Sequence, residues 1–130
     1  MRIAWTIALC VALAGCRKSV QPTVPRIPDS NLAPGGGTFE TDEAVMFHTI
    51  YRYSGHSGQA VAFYAPEMEK RGARRAGDSF VDDNVVHTGG FGMEGTASPK
   101  DAASPGVFLY VMETPEATFI DVWENVPKAR

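Results

Sequence analysis

The sequence predicts an α+β domain: an antiparallel sheet of four to five strands with one kinked helix packed on one face, in the order β-α-β-β-β-β. Three observations carry this. Residues 44–53, AVMFHTIYRY, alternate in side-chain character along their length, which is the period of a strand. Residues 57–72, SGQAVAFYAPEMEKRG, place Ala60, Val61, Tyr64, Ala65 and Met68 at helical spacing. Residues 107–124 are two β-branched and aromatic runs on either side of Thr114-Pro115-Glu116, which reads as a hairpin.

In the first strand, Val45, Phe47, Thr49, Tyr51 and Tyr53 share one face, and Met46, His48, Ile50 and Arg52 share the other. Ser54-Gly55 ends it. The helix has Ser57 as N-cap candidate, Lys70 and Arg71 in the last turn, and Gly72 as a left-handed C-terminal cap. Pro66 lies inside it. An interior proline removes a donor and clashes with the preceding turn, at a cost of ~3 kcal/mol, so the expectation is one helix kinked there. A short strand over 73–76 follows, then a turn at Gly77-Asp78 and a strand within 79–88 interrupted at Asp82-Asp83-Asn84. TASPKDAASPG, residues 96–106, is a loop. The hairpin strands run 107–113 and 117–124.

Residues 17–37, RKSVQPTVPRIPDSNLAPGGG, carry four prolines and a triple glycine and show neither a helix nor a strand period. They read as a tether reaching ~60 Å at full extension, with the glycines as a hinge and the folded domain over 38–130. The spacing Pro22-x-x-Pro25-x-x-Pro28 lacks the flanking signature of a proline-motif ligand.

The start of the chain, MRIAWTIALCVALAGC, has one positive charge, Arg2, and then 12 residues, Ile3 to Ala14, of which Thr6 alone is polar. That run is shorter than the ~20 residues a membrane-spanning helix needs, and its pattern is that of a secretory signal. Its end, Leu13-Ala14-Gly15-Cys16, resembles the lipobox of bacterial lipoproteins. The resemblance implies cleavage after residue 15, diacylglycerol on the Cys16 sulfur, and a further acyl chain such as palmitate on the new amino terminus. Two or more chains anchor stably, whereas one binds marginally. It also implies a location in the cell envelope. Arg17 rather than Asp follows the cysteine, which favours the outer over the inner membrane in a Gram-negative host. The run from Tyr53-Ser54-Gly55 through Phe63-Tyr64 and Glu67-Met68 to Gly72 resembles small exported bacterial domains of unassigned activity.

Cleavage removes Cys10 and puts lipid on Cys16, so the mature 115 residues hold no disulfide and depend on their core. Arg2 is the one charged residue lost, so the net charge moves from −3 to about −4. An acidic domain lacks the footprint of a nucleic-acid binder, and membrane contact is expected from the lipid alone.

The hairpin is apolar on both faces. Val107, Leu109, Val111, Ile120 and Val122 suit the face under the helix; Phe108, Tyr110, Met112, Phe119 and Trp123, with Asp121 among them, suit the other. Aromatic and methionine side chains are enriched in interface cores, so this second set is the candidate interaction face, fitted to another envelope protein. A covering of the face by the domain's own loops is the plain alternative.

No catalytic residue, cofactor or metal ligand set is expected. Gly90-Phe91-Gly92-Met93-Glu94-Gly95 matches G-x-G-x-x-G but opens no helix, so it reads as a turn or bulge. His48, His56 and His87 fall in no metal spacing; His48 and His87 lie on strands that meet across the sheet in one arrangement, with Glu94 beside them. Asp82-Asp83-Asn84 with Asp78 reads as a solvated acidic turn rather than a calcium loop. G-x-S-x-G is absent, and Glu113, Glu116, Asp121 and Glu124 have no partner evident from spacing. A small-ligand or metal-binding domain is the second expectation and an envelope enzyme the third.

Overall fold

The structure is a computed structural model and describes residues 20–76, 79–93 and 106–128. The lipobox, residues 13–16, the turn at 77–78 and most of the 96–106 loop lie outside the described residues. In chain order the elements are β1 (Ser30–Leu32), β2 (Gly37–Glu40), β3 (Ala44–Tyr53), α1 (Ser57–Lys70), β4 (Arg74–Ala76), β5 (Phe80–Asp82), β6 (Val85–Gly92), β7 (Gly106–Glu113) and β8 (Thr118–Pro127). The α+β class, the antiparallel pairing and the presence of one helix among the described residues are as expected. The described residues hold eight strands rather than four to five.

Four long strands make the centre, in the order β3-β8-β7-β6. Both edges are lined by pairs of short strands: β1 and β2 along β3, and β4 and β5 along β6. The strands beyond that count are β1 and β2, of three and four residues and too short to show a period, and the separation of β5 from β6. The break expected at Asp82-Asp83-Asn84 is a two-residue hairpin loop. Asp83 and Asn84 have φ of 46° and 65°, as a type I′ turn requires. The glycine-rich stretch continues β6 to Gly92, with the ladder irregular between His87 and Gly90.

α1 crosses from the end of β3 to the far edge at β4, covering one face on the way. Ala60, Tyr64 and Met68 are fully buried against Phe91, Val107, Leu109, Val111, Ile120 and Val122. Tyr64 and Met68 straddle Pro66 and are both 0% exposed. Burial on each side of the proline offsets its missing donor, and one helix runs from Ser57 to Lys70. The N-cap is His56 rather than Ser57: its carbonyl accepts from Gln59 N–H (3.1 Å) and Ala60 N–H (3.2 Å), and its own N–H donates to Gln59 Oε1 (2.8 Å). Gly72, at φ 82°, ends the helix as expected, with Gly72 N–H on Glu69 O (3.0 Å) and Ala73 N–H on Met68 O (2.9 Å).

The tether expectation does not hold over residues 20–37. Ile27 is 3% exposed in the core, and its N–H donates to the Tyr64 hydroxyl at 3.1 Å. Ser30–Leu32 pairs with Tyr53 to Tyr51. The glycines are no hinge either: Gly36 lies so close to β3 that a Cβ there would come 2.5 Å from the His48 carbonyl oxygen. Glycine in this stretch serves close backbone approach, letting β1 and β2 follow one neighbour around a bulge. The folded unit therefore includes residues ahead of Thr38.

Candidate functional site

Strand alternation sorts the hairpin as expected. Val107, Leu109, Val111, Ile120 and Val122 are buried under α1. Phe108, Tyr110, Met112, Phe119 and Trp123 are half-buried on the opposite face, over which no helix packs among the described residues. Register brings them together: Phe108 is opposite Trp123, Tyr110 opposite Asp121, and Met112 opposite Phe119.

β3 adds the next row, with His48 opposite Trp123, Ile50 opposite Asp121 and Arg52 opposite Phe119. The His48 ring stacks on Trp123 (centroids 3.6 Å apart, 13° between planes), and its Nε2 meets Asp121 Oδ1. The Arg52 guanidinium lies 6.0 Å from the centre of the Phe119 ring. On the other side, His87 Nδ1 is 2.7 Å from the Tyr110 hydroxyl, and Phe80 stacks on the His87 ring at 4.4 Å. Burial raises the Tyr110 pKa, which keeps the hydroxyl a neutral donor and acceptor. The face is thus a row of flat rings interleaved with two polar pairs, His48–Asp121 and His87–Tyr110.

His48 and His87 do not meet, because β8 and β7 lie between their strands. Sequence reasoning missed Phe80 and the pairing of His48 with Asp121. Alternation puts His48 and Asp121 on a common face, but only register makes them neighbours. No group of three or more His, Cys, Asp or Glu among the described residues is placed to hold a metal ion. A cavity of about 310 Å³ lined by His48, Thr49, Ile50 and the glycine bulge has no carboxylate in its wall.

Besides Asp121, two further hairpin carboxylates have partners distant in sequence. Glu124, 4% exposed, accepts from Thr23 N–H (2.7 Å), Val24 N–H (3.0 Å) and the Thr23 hydroxyl, and lies 3.4 Å from Arg71 Nη1. Beside it, Thr23, Arg71, Met93, Val107, Val126 and Pro127 help line a cavity of about 410 Å³. Glu113 Oε1 accepts from the Ser57 N–H at 2.6 Å and lies 3.5 Å from His56 Nδ1.

The Ser57 backbone hydrogen bond, against the opposing effect of burial, holds the Glu113 carboxyl below its ordinary value; His56 adds to this. A carboxyl with a depressed folded pKa stabilises the fold above its unfolded value and loses that contribution as pH falls through the folded one. The melting temperatures of the wild type and Glu113→Gln should therefore differ at pH 7, and the difference should shrink progressively as pH falls below 4.5. A gap that does not narrow on acidification would contradict the assignment.

Comparison with known proteins finds no matching family model, no matching curated protein and no matching solved structure.

Proposed function

We infer that the chain is a lipid-anchored protein of the bacterial cell envelope whose aromatic sheet face, opposite α1, binds another protein of that envelope, without chemistry of its own. The observation that carries this is the face itself. Phe108, Tyr110, Met112, Phe119 and Trp123 are contiguous and half-exposed, while the helix packs on the other side. Clustered aromatic and methionine side chains with an arginine beside them match the composition of interface cores. The polar pairs His48–Asp121 and His87–Tyr110 supply orientation. The resemblance of Leu13-Ala14-Gly15-Cys16 to a lipobox supports attachment through diacylglycerol on Cys16, with Arg17 favouring the outer membrane.

The test is crosslinked recovery of partners by the tagged full-length protein from its own envelope, with Cys16→Ser as the unanchored control. Tyr110→Ser with Trp123→Ser should lower recovery at least tenfold, about 1.4 kcal/mol, and leave the melting transition in place. Unfolding of the double variant would make these residues core and end the reading. Recovery unaffected by the pair would move the interface elsewhere.

The cavity between Arg71, Met93, Val107 and Pro127 favours a second reading, a small amphiphilic ligand, since its volume of about 410 Å³ lies within the range of ligand pockets. Native mass spectrometry of the full chain separates the two by the presence or absence of bound mass.

A further inference from the structure

One edge of the sheet is interrupted by features that take no part in the aromatic face. β1 and β2 both pair antiparallel with β3 and together line it from Val45 to Tyr53. They are not one strand. Four residues, 33–36, join them, and only Thr49 and Ile50 lie opposite, so the edge carries two residues more than its neighbour. The excess is taken up by Gly35, at φ 109°, and by Gly36, which lies against the His48 carbonyl where a Cβ would not fit. Pro34, in the same bulge, has no N–H to offer.

Alternation fixes which backbone groups face outward. Ala33 N–H donates to Ile50 O (2.8 Å), Ser54 N–H to Asp29 O (3.3 Å) and Thr41 N–H to Ala44 O (2.9 Å). Residues 29, 31, 33, 37, 39 and 41 therefore bond inward to β3, and the N–H and C=O of Ser30, Leu32, Thr38 and Glu40 are directed away from the sheet. One of these groups is occupied by a side chain: Arg26 donates through Nη2 to the Ser30 carbonyl, and through Nε to Ser30 Oγ (3.1 Å). An outward row of this kind is where a further strand adds, and bulges, short strands and charged side chains are what hinder it.

The side chains along the edge suit a second copy of the same edge. Leu32 on one face is 69% exposed and Phe39 on the other 59%, so a strand added here gains apolar contact on both faces. At the β1 end, exposed Arg26 and Arg52 outnumber Asp29; at the β2 end, exposed Glu40, Asp42 and Glu43 outnumber Lys128. Two copies of the edge laid antiparallel about a twofold axis bring the basic end of each beside the acidic end of the other. The bulge stands in the middle of the run, where such a pairing would centre.

We propose that the bulge at residues 33–36, with Arg26 on the Ser30 carbonyl, is a built-in barrier that keeps this edge from pairing with the same edge of a second copy of the chain.

The test compares the full-length protein in detergent micelles with a variant that lacks Gly35 and Gly36 and carries Pro34→Val, which makes one unbroken strand from Ser30 to Glu40. Light scattering resolves the protein mass from the detergent. The variant should have about twice the protein mass of the wild type at equal concentration. Adding Thr38→Pro should return it to the wild-type value, because residue 38 directs its N–H outward and not to β3. A variant that melts cooperatively with the wild-type mass overturns the proposal, as does a doubled mass that Thr38→Pro leaves unchanged. Loss of cooperative melting would make the bulge a requirement of the fold and overturn it as well. The unaltered chain supplies a check that needs no variant to fold: amide exchange at Thr38 and Glu40 should be about tenfold faster or more than at Gly37 and Phe39. Equal protection of the four amides would show an edge that is already covered and would end the proposal.

Discussion

A chain that begins at Thr38 is expected not to fold cooperatively. It loses Ile27, 3% exposed in the core, together with the N–H that Ile27 gives to the buried Tyr64 hydroxyl. It loses β1 and leaves the upper half of β3 as an open edge. It also removes Thr23 and Val24 from the carboxylate of Glu124, which then sits buried with Arg71 as its remaining charge partner. Burial of one isoleucine contributes about 1.5–3 kcal/mol, and disrupting a buried ionic group costs several more. The sum is of the order of the whole stability of a small domain, ~5–15 kcal/mol. Urea unfolding of residues 20–130 and 38–130 side by side checks this. A sigmoidal transition in the shorter chain, with its midpoint near that of the longer, would restore residues 20–37 as a tether.

Replacing Glu124 with alanine is expected to destabilise the full domain by about 3–5 kcal/mol. The loss has two parts. Arg71 keeps its i,i+4 pair with Glu67 (2.9 Å) but loses the Glu124 carboxylate as a partner. The amides of Thr23 and Val24 lose the acceptor that fixes them. The second part has its own readout: proteolysis within residues 20–29 should accelerate before the global transition, because the segment opens locally once its first fastening is gone. Glu124→Gln keeps a carbonyl acceptor and should recover part of the protection but not the pairing with Arg71. Equal behaviour of the two variants would mean that charge contributes nothing.

Much of the domain was legible in the sequence. The strand at 44–53 was found to the residue, because alternation over so long a run is a signal the chain states locally. The helix was placed because Ala60, Tyr64 and Met68 repeat on one face and Gly72 can adopt the left-handed turn that ends it. The two faces of the hairpin were separated because every second side chain of a strand points the same way. The aromatic row was legible for the same reason. Its polar pairing was not: alternation gives a face, and only register decides that His48 meets Asp121 and that two strands separate it from His87.

The proline- and glycine-rich segment departs from the expected tether for a different reason. Composition reports that a stretch forms no regular element of its own, which is true of most of residues 20–37. It does not report whether the stretch packs against something else. Glycine lowers the barrier to a hinge and to close approach alike, and Gly36 is used for the second. Ile27 is one apolar residue between prolines, too isolated to form a pattern, and its burial depends on a pocket assembled from α1 and the sheet.

The sequence by itself determined the local elements, their caps and turns, and which hairpin side chains share a face, because helical and strand periods and turn chemistry act over a few residues. Only the tertiary structure decided the neighbours of each strand, the fastening of Thr23 by Glu124 across 101 positions, and the membership of Ile27 in the core. These are contacts between residues distant in the chain, set by how the sheet closes its ladder and where the helix leaves room. No local preference encodes them.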